Sequence, residues 1–83
     1  MSRKPIVAGN WKMNTTLDEA RTLAEGIAAR TADVAGVELA VFPPFPWLVP
    51  VRERLGDTGV QLGAQNCYIK ESGAFTGEVS PWA

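Results

Sequence analysis

The sequence predicts an α/β protein in which three parallel strands alternate with two helices, a βαβαβ segment. Three observations carry this reading. Residues 6–8, 37–42 and 60–64 are short runs, apolar nearly throughout, of strand length. The two stretches between them place apolar residues at helical spacing. The connections are short, so strand, helix and strand follow one another as right-handed crossovers packing onto one sheet.

The first strand opens after Pro5, where a missing N–H is tolerated, and covers Ile6, Val7 and Ala8. It breaks at Gly9 into a polar stretch holding Asn10, Trp11 and Lys12. A helix signal follows. Thr16-Leu17-Asp18-Glu19 has the hydroxyl and the carboxylate of a capping box at the required spacing. Leu17, Ala20, Leu23, Ala24, Ile27 and Ala28 then form one apolar stripe, which predicts a helix ending near Arg30 or Thr31. Arg21, Glu25 and Arg30 fall on its solvated face, where Glu25 is expected to pair with Arg21.

The second strand, VELAVF at residues 37–42, is apolar except for Glu38, as expected of a strand covered on both faces. Pro43, Pro44 and Pro46 exclude a helix through the next segment, because each restricts the residue before it. A second helix is expected from about Pro46 to Leu55, with Trp47, Leu48, Val51 and Leu55 as its apolar face and Gly56 after its end. The third strand occupies residues 60–64. Residues 65–79 form a long loop rich in glycine and polar residues, a kind that is usually functional or mobile. Ser80-Pro81 pairs a capping residue with a proline at the first helical position, so a third helix is expected to start there. The signal stands three residues before the last residue of the sequence, so the chain reads as truncated.

Composition bounds the function. Eighty-three residues make at most one small domain, and a chain of this length buries only about 60–65% of its unfolded surface. Eight basic and nine acidic residues are interspersed and leave a net charge of −1, which offers no surface for nucleic acid or a membrane. One cysteine, no secretory leader pattern and no long apolar run point to the cytoplasm. There is no histidine, so imidazole acid–base chemistry is excluded for these residues and a transition-metal site is disfavoured. Cys67 reads as a small buried hydrophobe, Trp11 as a packing residue and Met13 as a flexible filler.

The stretch IVAGNWKMN, residues 6–14, holds the chemistry. In a strand–loop–helix unit, residues at the carboxyl end of the strand face the mouth of the sheet, where ligands bind. Lys12 supplies a compact positive charge there, and Asn10 a neutral donor and acceptor beside it. That pair suits an anionic, oxygen-rich ligand such as a phosphate ester. The competing reading is a strand end with an ordinary polar loop.

With GNWKMN after the first strand, FPPFPWL after the second and GAQNCY…GAFTGEVSP after the third, the sequence resembles the triosephosphate isomerase family from Pro5 to Pro81. The resemblance implies that residues 1–83 are the N-terminal third of a (β/α)8 barrel, a fold of about 250 residues with its site on the carboxyl-terminal face. It implies interconversion of dihydroxyacetone phosphate and glyceraldehyde 3-phosphate, in glycolysis and gluconeogenesis, without a metal or organic cofactor. Asn10 and Lys12 match the family's substrate-contacting residues. Gln65 matches a residue that organises the Asn/Lys loop. Residues 65–79 resemble the loop that docks into the partner subunit of a homodimer, with Thr76 beside the partner's Asn/Lys loop and Glu78 holding the docked loop. The family's glutamate base, neutral histidine and closing loop have no counterpart here. Asn10 and Lys12 therefore supply electrostatics without proton transfer, and the 83 residues alone are expected to be inactive. An isolated three-stranded piece is also expected to expose two sheet edges and its inner face, and to associate. Two alternatives stay open: a non-catalytic barrel segment acting through association, and an unrelated phosphate-binding domain. The absence of a glycine-rich loop after the first strand disfavours the second.

Overall fold

A computed structural model describes residues 3–83. Strand β1 (Ile6–Asn10) is followed by helix α1 (Leu17–Thr31), strand β2 (Glu38–Phe42), a 3₁₀ turn (Phe45–Trp47), helix α2 (Leu48–Leu55) and strand β3 (Gln61–Leu62). The sheet order is β1-β2-β3 and both pairings are parallel, as expected of βαβ units. Ile6 faces Glu38 and Asn10 faces Phe42, while Ala40 and Val41 pair with Gln61 and Leu62. The molecule is a slab of 45 × 38 × 20 Å, thin because one helical layer lies on one sheet.

The capping box forms as the sequence predicts. The Thr16 hydroxyl accepts from Glu19 N at 3.3 Å, and the Glu19 carboxylate accepts from Thr16 N at 2.8 Å. Ala20 and Ala24 on α1 are fully buried against the second unit, which contributes Val51 and Leu55 from α2. Val41 on β2 and Trp11 beyond β1 complete this core, and Ile27, Trp47, Val60 and Leu62 pack around it. The core is small, and no polar side chain is buried in it among the described residues.

Several elements depart from the sequence reading. Strand β1 runs through Gly9 to Asn10, two residues past the apolar run, because the backbone keeps pairing with β2 to Phe42. Residues 45–47 form a 3₁₀ turn instead of the first turn of α2, with Pro44 before the turn and Pro46 within it restricting the backbone. Strand β3 is two residues long where five were expected, since its ladder with β2 covers only two pairs. Residues 80–83 make a single turn, with Ala83 N donating to Ser80 O at 3.0 Å and Trp82 N to Ser80 Oγ at 3.0 Å. Glu25 does not pair with Arg21. It reaches across to Arg54 of α2 at 3.8 Å, and Arg21 pairs with Asp18 at 3.6 Å. Cys67 is exposed instead of buried, and Met13 is 96% exposed and packs under nothing in this chain.

The second strand is not covered on both faces: along Glu38–Phe42 only Val41 is buried, with Glu38 exposed and the others half-buried. Ile6 and Val7 are 66% and 58% exposed, because helices cover only one side of the sheet and β1 lies at its edge. That agrees with the expected open edges and inner face.

Candidate functional site

Polar groups converge at the carboxyl edge of the sheet. As Asn10 closes β1, its Oδ1 accepts from Lys12 N at 2.9 Å and leaves the amide nitrogen as the donor end. This short bond turns the chain sharply, and Lys12 sits at φ 58° in the left-handed region that few non-glycine residues enter. The Lys12 side chain is exposed, and both ion pairs among the described residues use arginine. Its ammonium therefore stands at the edge of the sheet without a carboxylate partner there.

The neighbouring units hold this turn. Trp11 is 8% exposed, wedged in the core, and its backbone N–H donates to Phe42 O at the end of β2 at 3.1 Å. Gln65, just beyond β3, lays its Nε2 between two carbonyls: Lys12 O at 2.8 Å and Phe42 O at 2.8 Å. One side-chain amide thus ties together the ends of all three strands. Asn14 adds a local clamp, with Nδ2 donating to Trp11 O at 3.0 Å. The Trp47 indole N–H bonds Thr15 O at 3.1 Å.

Asn10, Lys12 and Gln65 are brought together here. Thr76 and Glu78 are not, and among the described residues no hydrogen bond joins them to that cluster. They lie on a separate feature. Glu78 N donates to Phe75 O at 3.0 Å, and Gly77 at φ 90° takes the third place of that turn, the pattern of a type II turn. Tyr68 N closes the loop onto Val79 O at 2.8 Å, and the Tyr68 and Phe75 rings meet at 4.8 Å between centroids. The loop is therefore built from its own contacts, with Thr76 and Glu78 exposed on it.

Two groups at this edge, the Phe42 carbonyl and the Trp47 indole N–H, are not marked as site groups by the sequence. Only the second had a signal: an indole donor next to a carboxyl-edge loop needs a partner. Among the described residues no cluster of His, Cys, Asp or Glu is arranged to hold a metal, and no helix is long and apolar enough to cross a membrane.

Parallel strand–helix units with polar side chains gathered beyond the strand carboxyl ends define an α/β barrel segment. A model of the triosephosphate isomerase family matches residues 5–83, and the chain belongs to that family. It is 49% identical over 79 residues to the triosephosphate isomerase of Dehalococcoides mccartyi strain 195, covering 95% of this chain and 32% of the relative. Against that of Carboxydothermus hydrogenoformans it is 52% identical over 79 residues, with the same coverage. Against that of Streptococcus pyogenes serotype M6 it is 48% identical over 81 residues, 98% of this chain and 32% of the relative. The chain spans about a third of the length of the curated relatives it matches.

Proposed function

We propose that this chain contributes the electrostatic part of a triosephosphate isomerase site, with Asn10 and Lys12 contacting the phosphorylated triose. The observation that carries the reading is the pair of hydrogen bonds that Gln65 Nε2 donates to Lys12 O and Phe42 O, which holds the Lys12 backbone before any ligand arrives. A cation held in place stabilises charge without reorganising when that charge develops. In the interconversion of dihydroxyacetone phosphate and glyceraldehyde 3-phosphate, a proton leaves one carbon and one is delivered to its neighbour, a second proton passes between the oxygens those two carbons carry, and negative charge develops on these oxygens on the way. The Lys12 ammonium and the Asn10 amide are the donors suited to those oxygens and to the phosphate.

Proton transfer needs a positioned acid and base, and the sequence has no histidine. The 83 residues alone therefore bind without turning over. We assign the Thr76 and Glu78 loop to contact with a second subunit in a homodimer, no cofactor to the reaction and the cytoplasm as its compartment. These assignments rest on the family, as does the role of Gln65 in organising the Asn/Lys loop.

The test is a titration of the isotope-labelled chain with dihydroxyacetone phosphate. We expect amide shifts at residues 10–12 that Lys12→Met removes, and no isomerisation above buffer. Shifts that survive Lys12→Met sink the binding role, and turnover by the chain sinks the inactivity. A second reading, a barrel segment acting through association, draws on the 66% and 58% exposure of Ile6 and Val7 beside a free sheet edge.

A further inference from the structure

The turn that carries Lys12 is held against its own preferences at two positions. Lys12 lies at φ 58° and Thr15 at φ 87°. A β-branched residue at such an angle is an outlier that persists only where its surroundings over-determine it. Thr15 has a second unfavourable feature: its Oγ1 is buried and finds no protein partner. Between the two, Met13 and Asn14 are exposed, so no apolar packing holds the segment down. Its restraints are polar. Gln65 holds Lys12 O at one end, and the Trp47 indole holds Thr15 O at the other.

Trp47 is well made for this. Pro44 precedes its 3₁₀ turn and Pro46 lies inside it, both restricting the backbone, and the Trp47 backbone N–H donates to Pro44 O at 3.0 Å. The ring packs against the core. The indole donor is thereby presented from a rigid support 32 residues away from the carbonyl it holds.

We infer that Trp47 is a positioning residue for the anion site: by holding Thr15 O it keeps the turn of residues 12–15, left-handed at Lys12 and Thr15, from which the Lys12 ammonium is presented. This rests on the anion-binding reading of Lys12 given above. Trp47 touches no ligand itself. It acts through Thr15, as a residue from the second βα unit fixing the loop of the first.

The experiment uses the labelled chain, with inorganic phosphate as the probe. Backbone couplings and carbon shifts report φ at Lys12 and Thr15, and core methyl resonances of Val41, Val51 and Leu55 report the fold. Trp47→Phe keeps an aromatic ring, smaller than the indole, and removes the donor. We expect it to lose the left-handed signature at both residues and to weaken phosphate binding about tenfold, within the range a misplacement of a site group produces, with core methyls unmoved. Asparagine accepts left-handed angles more readily than threonine, so Thr15→Asn in the Trp47→Phe chain is expected to restore both readouts. A purely packing role for Trp47 would not be rescued this way.

Retention of the signature and of phosphate binding in Trp47→Phe overturns the inference while the anion site stands. A wild-type chain indifferent to phosphate, or one whose response survives Lys12→Met, overturns the anion reading and the positioning role with it. Should Trp47→Phe disturb the core methyls, indole exchange in the wild-type chain decides. There the Trp47 Nε1 proton is expected to exchange more slowly than that of Trp82, which is 77% exposed, and equal rates overturn the inference.

Discussion

The side-chain amide of Gln65 donates to the backbone carbonyl of Lys12 at 2.8 Å, across 53 residues of sequence. It binds the loop after the first strand to the segment after the third, and its second bond, to Phe42 O, includes the second strand. The position of Lys12 is therefore a property of the whole sheet.

Removing that amide separates positioning from stability. Gln65 is exposed, so in Gln65→Leu water can replace the lost donor at both carbonyls, and the expected destabilisation is about 1 kcal/mol or less, the low end for a hydrogen bond. The response of residues 10–12 to dihydroxyacetone phosphate should fall much further. Urea unfolding beside a ligand titration of the same variant checks both. A large stability loss with unchanged binding contradicts the role given to Gln65.

The cap of α1 is the best-defined local device in the chain, and Thr16→Ala tests it. The substitution removes the acceptor for Glu19 N and breaks the reciprocal box. We expect a loss of about 1 kcal/mol, typical of a hydroxyl cap. Glu19→Ala should lower stability by less, and the double variant should fall short of the sum, because the two bonds belong to one motif. Denaturant midpoints read by circular dichroism provide the comparison.

How much of this was legible in the sequence depends on the range of the interaction. The capping box needs residues three apart, and Thr16 with Glu19 announced the start of α1 directly. The parallel βαβαβ order followed from period and length. Trp47 read as part of an apolar face, because its hydrogen-bond partner Thr15 lies 32 residues away and nothing local marks the pairing. Glu25 read as a partner of Arg21 for the converse reason: the local neighbour was visible, but Arg54 of the adjoining helix was not. The exposure of Cys67 was illegible too, since it depends on what covers the loop after β3. At the site, Asn10 and Lys12 were marked by residue type and place, while the turn joining them rests on left-handed backbone that no residue type there advertises.

Gly63 shows how tightly the end of β3 approaches its neighbour. A Cβ built there would overlap the Phe42 ring, and Gly63 N is already bonded to Val41 O at 3.0 Å. Gly63→Ala forces either the ring or the strand end to move, and we expect a loss of about 1–3 kcal/mol, the usual range for overpacking. Phe42→Leu in the same chain should recover part of it by removing the ring edge. If Gly63→Ala melts like the wild type, the close approach does not constrain the fold.

The open side of the sheet gives the last expectation. β1 is an edge strand, and Ile6 and Val7 on it are 66% and 58% exposed. Unpaired backbone groups beside apolar side chains template strand addition by a second chain. Sedimentation of the 83-residue chain should therefore show association that grows with concentration. Val7→Lys places a solvated charge on that strand, a device natural edges use against pairing, and should shift the chain toward monomer at equal concentration without unfolding α1 or α2. Helix content by circular dichroism checks the second half of that statement. If the wild-type chain stays monomeric at high concentration, with a sharp melt independent of dilution, the edge is protected in some way that its exposure does not show, and the association reading fails.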